Sequence, residues 1–154
     1  MDRIEIINYS SQYQQDYKEL SLEWLFEYNL YEDADGQMLD HPKREVFDKG
    51  GYIFLAKINS EIVGTVVIIP AGNNSFEIFK LGVKKNYQRL GIGKALMELC
   101  IQQSKAFNAE KMILETNSKL KSAIRLYTKL GFKEVALHKD KYQLSDKKME
   151  LLLK

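Results

Sequence analysis

Hydrophobic and polar positions follow two rhythms along this chain, and the switches between them outline its elements. Ile4 and Ile6, set between Arg3, Glu5 and Asn8, read as a first strand. Tyr13, Tyr17, Leu20, Trp24, Leu25 and Tyr28 then recur at three and four residues. That spacing predicts a helix over 13–30, entered at Ser10 or Ser11 and ending near Asn29. Asp40-His41-Pro42 reads as the start of a short helix, with Asp40 as cap and Pro42 in the first turn, closing at Gly50-Gly51. Tyr52 to Ile58 and Glu61 to Pro70 are β-rich runs separated by Asn59-Ser60, a hairpin spacing. Ala71-Gly72-Asn73-Asn74 makes a further turn, and a strand follows from Phe76 to Val83.

In the second half, Ile92, Ala95, Leu96, Leu99 and Cys100 mark the buried face of a helix running to Phe107. Met112, Ile113 and Leu114 form a short apolar run, as in a strand buried on both faces. Leu120, Ala123, Ile124, Tyr127 and Leu130 return to helical spacing, and Gly131 suits a C-terminal cap. Phe132 to Leu137 and Met149 to Leu153 supply two last strands, joined by a polar, lysine-rich connection. The order β-α-α-β-β-β-α-β-α-β-β predicts an α/β (α+β) domain with one mixed, mostly antiparallel sheet of about seven strands flanked by about four helices.

Composition narrows the class. A length of 154 residues suits one domain over 1–154, and 45% apolar with 29% charged residues excludes a disordered chain. The longest apolar run, Ile62 to Ile69, is broken by Gly64 and Thr65 and falls short of the roughly 20 residues of a membrane span. Asp2, Arg3 and Glu5 stand where a signal peptide needs apolar residues, and the single cysteine, Cys100, allows no internal disulfide. A cytoplasmic protein without a membrane partner is the expectation. A net charge of +2 also gives no reason to expect a nucleic-acid partner. The basic residues are nevertheless concentrated: Lys80, Lys84, Lys85, Arg89 and Lys94, then Lys119, Lys121, Arg125 and Lys129, point to a local anionic ligand.

Between the strand ending at Val83 and the helix opening near Ile92, Gly91 and Gly93 stand where backbone N–H groups lack intrahelical partners. Free donors and the positive end of the macrodipole favour an anion there. A Walker A loop would require Gly at 88 and Ser or Thr at 95, where the chain has Gln88 and Ala95. A dinucleotide fingerprint would require a small residue at 96, where Leu96 sits. Without a ligand, the glycines would mark an ordinary tight turn and helix start.

The spacing Gln88-x-x-Gly91-x-Gly93 resembles the acyl-CoA loop of the GNAT superfamily of N-acyltransferases. Leu114-Glu-Thr-Asn117, followed by Ala123-Ile-Arg-Leu-Tyr-Thr-Lys-Leu-Gly-Phe132, is similar to the superfamily's later strand, helix and Gly-Phe turn. The resemblance implies that backbone amides of Gln88, Arg89, Leu90, Gly91, Ile92, Gly93 and Lys94 hold the pyrophosphate of acetyl-CoA. It implies that the strand edge at Leu81, Gly82 and Val83 pairs with the pantetheine arm, and that Asn117 hydrogen-bonds the same arm. Asn117 or Ser118 also suits a helix cap. No metal is implied, and His41 and His138 stand isolated.

Acyl transfer to an amine requires the amine to be neutral, although a lysine-type ammonium has a pKa of about 10.4. Glu77, eleven residues before Gln88, resembles a general-base glutamate; its alternative is a solvent-facing acid on a strand. Tyr127 resembles the superfamily's general-acid tyrosine, although it also lies on the apolar face of its helix and suits the core. Cys100 sits beside Leu96 and Leu99 on a buried face and reads as packing rather than as a nucleophile. Trp24, Tyr28, Glu32 and Asp35 gather after the first long helix, where acids oppose its macrodipole, and read as a receiver for a cationic amine or as a solvated acidic loop.

The sequence therefore predicts an N-acetyltransferase acting on a primary amine of a small molecule or peptide by direct attack in a ternary complex. The alternative is a CoA-binding sensor or interaction module that lost turnover. A homodimer follows only from the resemblance.

Overall fold

The computed structural model describes residues 3–138 and 142–154, so part of the lysine-rich connection and the first two residues lie outside the described region. In chain order the elements are β1 (Ile4–Asn8), α1 (Gln14–Glu27), α2 (Asp33–Asp40), α3 (Pro42–Glu45), β2 (Tyr52–Ile58), β3 (Glu61–Ala71) and β4 (Ser75–Val83). There follow α4 (Ile92–Ala106), β5 (Lys111–Thr116), α5 (Lys121–Lys129), β6 (Lys133–Val135) and β7 (Lys147–Leu152). The seven strands form one sheet in the order β1-β2-β3-β4-β5-β7-β6. Among the described strands only β4 and β5 pair in parallel; the other neighbours are antiparallel.

Period-two alternation divides the strands between two cores. Phe54, Ala56, Val66, Ile68 and Ile78 pack with Ile92, Leu96, Met97 and Cys100 of α4. Ile53, Leu55, Val67 and Ile69 pack on the opposite face with Tyr17, Leu20 and Leu25 of α1 and Met38 and Leu39 of α2. The sheet is therefore a middle layer with a helix layer on each side.

Several expectations shift at their edges. The first long helix ends at Glu27, and Asn29 takes φ 55° while Leu30 N–H reaches back to Leu25 O at 2.8 Å, a left-handed closure that a short amide side chain tolerates. The single helix expected from Asp40 to Gly50 is replaced by α2, α3 and a 3-10 turn at Phe47–Lys49. Asp40 ends α2 instead of capping a helix, and Pro42 opens α3, where its missing N–H costs nothing. The strand expected at Met112–Leu114 is longer and alternates, with Met112, Leu114 and Thr116 buried and their neighbours half-buried. Cover is unequal on the two faces: α4 contacts β2 through β5, whereas the main strand contacts of α1 are with β3 and β4. Strand β6 stops at Val135, short of Leu137.

The pairing of β4 with β5 is brief. It runs from Ser75↔Lys111 to Ile78↔Leu114 and stops, although β4 continues to Val83 and β5 to Thr116. At the same place β4 carries a bulge against β3. Val67 pairs with Phe79 and Thr65 with Gly82, so Lys80 and Leu81 together face Val66. Lys80 takes φ 55° there. An extra residue bends its strand and increases the local twist, which turns the end of β4 away from β5.

Leu96 is fully buried in the α4 core. Leu96→Ala should lower unfolding stability by about 2–5 kcal/mol, read as a lower urea midpoint at unchanged slope.

Candidate active site

The splay between β4 and β5 opens a cleft of about 800 Å3. One lip is β4 from Phe79 onward, an edge that has no strand partner on its β5 side among the described residues. The other lip is the end of β5 with α5 behind it.

The glycine loop closes one end. After Val83, a 3-10 turn at Lys85–Tyr87 leads to extended Gln88, whose side-chain amide donates to Val83 O at 3.3 Å. Arg89 at φ 67° and Gly91 at φ 84° then turn the backbone into α4. Gly91 is the N-cap and offers no side chain, and the first intrahelical donor is Ala95 N–H to Gly91 O at 3.0 Å. The N–H groups of Ile92, Gly93 and Lys94 therefore start the helix without intrahelical acceptors. Gly93 matters for packing as well, since a Cβ there would lie 3.3 Å from Leu126 of α5.

The basic cluster divides once its partners are known. Lys80 is buried and paired, Lys84 pairs with Glu61 at 3.0 Å, Lys85 lies 3.9 Å from Glu27, and Lys119 donates to Tyr28 O at the end of α1. Arg89, Lys94, Lys121, Arg125 and Lys129 remain along the cleft. These five cations, with the free start of α4, face the same opening.

Tyr127 stands on α5 at the middle of the cleft. Gly131 at φ 101° reverses the chain so that Phe132 N–H bonds Tyr127 O at 3.0 Å. This places the Phe132 ring 5.9 Å from that of Tyr127 and fixes the tyrosine's orientation. Burial raises the phenol above its ordinary range, so it keeps its proton at neutral pH. Glu77 lies on β4 one residue before the last β4–β5 pair and lines the same cleft, half-buried. Burial likewise pushes the Cys100 thiol up, and its complete enclosure leaves it a packing residue.

Beyond Glu77 the cleft ends among Trp24, Tyr28, Glu32, Asp35, Lys80 and Tyr142. Gly82 lets Trp24 approach, because a Cβ at 82 would collide with the indole nitrogen. Glu32 and Asp35 do not oppose the α1 macrodipole, as the sequence suggested; they begin α2, where acids favour the helix. Asp35 is buried, with one carboxylate oxygen on Lys80 Nζ at 2.5 Å and the other accepting Glu32 N–H at 2.8 Å. Glu32 accepts the N–H groups of Gln143 and Leu144 at 2.8 and 2.9 Å. Both carboxylates thus hold the wall of the cleft. Asn117 caps no helix: Leu120 is the N-cap of α5, while the Asn117 amide donates to Leu144 O at 2.7 Å and accepts Lys119 N–H at 2.9 Å.

The cleft gathers the expected site residues except Leu90, whose side chain points to solvent at 51% exposure. Ile92 contributes backbone only, since its side chain is buried in the core. Tyr142 was not foreseen at the site, and Lys80 was expected there as part of a basic cluster for an anion, whereas it pairs with Asp35. For Lys80 a signal existed, because it follows Phe76 and Ile78 at the inward phase of an apolar strand, where a cation needs a partner. Tyr142 lies in an irregular polar segment that carries no periodic signal.

The phenols of Tyr17, Tyr127 and Tyr142 are all raised by burial, and Asp35 adds to the effect at Tyr17 and Tyr142. In the unfolded chain they ionise near pH 10, before they do so in the fold. Their contribution is thus complete below pH 10 and is lost as pH rises further. Unfolding free energy should fall above pH 10 by about 1.4 kcal/mol per pH unit for each phenol, and Tyr17→Phe should reduce that slope in urea titrations.

Residues 13–132 match the model of the acetyltransferase (GNAT) family. An N-alpha-acetyltransferase of Sulfurisphaera tokodaii is 33% identical over 101 residues, 58% of this chain and 60% of that protein. The chain spans 46–60% of the length of the first curated relatives it matches. A GNAT-family acetyltransferase from Staphylococcus aureus MU50 superimposes with a TM-score of 0.90 at 31% identity, over 99% of this chain and 100% of that one. PaiA N-acetyltransferase from Thermoplasma acidophilum, in complex with coenzyme A, shares the fold with a TM-score of 0.77 at 19% identity, covering 96% of this chain and 98% of that one.

Proposed function

The chain belongs to the GNAT acetyltransferase family, and we propose that it transfers an acetyl group from acetyl-CoA to a primary amine of a small molecule or peptide. One observation carries this reading. A single cleft runs from the free start of α4, along the unpaired edge of β4, past Tyr127 to Glu77 and an aromatic, acid-bearing end.

The residues present fit such a donor. N–H groups of Ile92, Gly93 and Lys94, supported by Arg89 and by Lys121, Arg125 and Lys129, suit a pyrophosphate. The β4 edge at Leu81, Gly82 and Val83 offers backbone groups to an amide-bearing arm, in the manner of strand addition. Acetyl-CoA, when bound, supplies an activated acyl carbon and a thiolate leaving group.

The chain's own groups then divide the proton work. Glu77 receives a proton from the acceptor ammonium, directly or through water, so that the amine can attack. Tyr127 gives its proton to the leaving sulfur, a role that its raised pKa preserves across the neutral range. A backbone N–H near Leu81–Val83 would be the donor to the oxygen on which charge develops. Trp24 and Tyr28 line the acceptor end, where aromatic rings favour a cation.

Incubation with acetyl-CoA and a panel of amines, followed by thiol release, tests the reading. Release should depend on an amine. Tyr127→Phe should lower kcat by about 10²-fold or more, and Glu77→Gln should lower it by a similar factor below pH 9, with recovery at higher pH as the amine deprotonates unaided. Full turnover by both variants at all pH values would remove the assigned roles, and thiol release with no amine in the panel would remove the reaction.

A further inference from the structure

Lys80 combines three properties that local preference does not explain. It occupies the β4 bulge at φ 55°, a conformation that disfavours a side chain. It is buried, which a lysine tolerates only with a partner. Its ammonium lies 2.5 Å from Asp35 Oδ1, a residue 45 positions away on the opposite side of the cleft's acceptor end. The same ammonium donates to the Tyr142 hydroxyl at 3.2 Å and sits 4.9 Å from the centre of that ring.

From Asp35 the contacts continue. Asp35 Oδ2 accepts Glu32 N–H, Glu32 accepts Gln143 and Leu144 N–H, and Leu144 O accepts from Asn117 just past β5. The series starts on one lip of the splay and returns on the other. A buried ion pair adds little net stability compared with two well-packed apolar side chains. What it imposes is geometry, because removal of one partner strands the other charge in a dry site.

We propose that Lys80 and Asp35 are positioning residues: their ion pair ties the β4 bulge to α2 and the 142–144 segment, so that the β4 edge at Leu81–Val83 and the acceptor wall keep one fixed spacing. Neither side chain touches a reacting atom. The kinetic consequence rests on the acyltransferase reading, whereas the mechanical coupling does not.

Hydrogen–deuterium exchange on the full chain tests the coupling without turnover. In Asp35→Asn, exchange at Leu81–Val83 and at Gln143–Leu144 should rise together by about tenfold or more, while Leu96–Cys100 inside α4 stays within about twofold. A rise confined to α2, or an equal rise in α4, overturns the proposal. The apolar double variant Lys80→Met/Asp35→Leu guards against simple unfolding. It should recover the wild-type melting temperature yet keep fast exchange at both segments, and recovery of slow exchange would reduce the pair to a replaceable core contact. In the transfer assay, the double variant should lower kcat by about tenfold and raise the acceptor KM, with CoA itself binding within about threefold of wild type by calorimetry. Kinetics within about twofold of wild type, or CoA binding weakened as much as kcat, count against positioning. A wild-type protein that bound CoA and transferred to no amine would remove the proposed function and leave the exchange result standing.

Discussion

The partial pairing of β4 is the constraint on which the candidate site depends. The strand pairs with β3 along most of its length but with β5 only as far as Ile78↔Leu114. An unpaired strand edge beside a packed core is unfavourable unless water or a ligand supplies its hydrogen bonds. Here the bulge at Lys80 and Leu81 turns the edge outward into an open cleft, which relieves the need for protein partners. The cost is a lysine held in the left-handed region, on the order of 1–2 kcal/mol.

Other features follow from where that strand leads. Because β4 runs directly into the glycine loop, the free start of α4 lies at one end of the opening. Because β5 leads into α5, Tyr127 arrives at its middle, held by the Gly131-Phe132 reversal. Arg89 and Lys94 line the cleft by the start of α4, and Glu32, Asp35 and Glu77 line it as well, with Lys80 as the buried counterion of Asp35.

The strands and long helices were legible because their signals are local. The alternation of Phe54, Ala56 and Ile58 against Ile53 and Leu55 requires only a pleat, and Gly91 and Gly131 suit left-handed turns whatever surrounds them. Reading failed where a local signal had two meanings. Glu32 and Asp35 follow α1, so they looked misplaced against its dipole; the same acids open α2, a short helix whose few apolar residues gave no clear period. The apolar run at Met112–Leu114 looked doubly buried, but burial of its second face depends on how far α1 reaches across the sheet.

By itself the sequence determined the succession of the strands and the long helices, the glycine-led start of α4 and the Gly-Phe turn beneath Tyr127, since each is set by residues within a few positions of one another. Tertiary structure alone decided that β4 and β5 part after Ile78 and Leu114, that Lys80 turns to Asp35 rather than to an anion, and that Glu32 grips a backbone segment more than a hundred positions away. Those outcomes depend on burial and on charges meeting across the sheet, and a side chain's partner at such separations is fixed only when the whole core has closed around it.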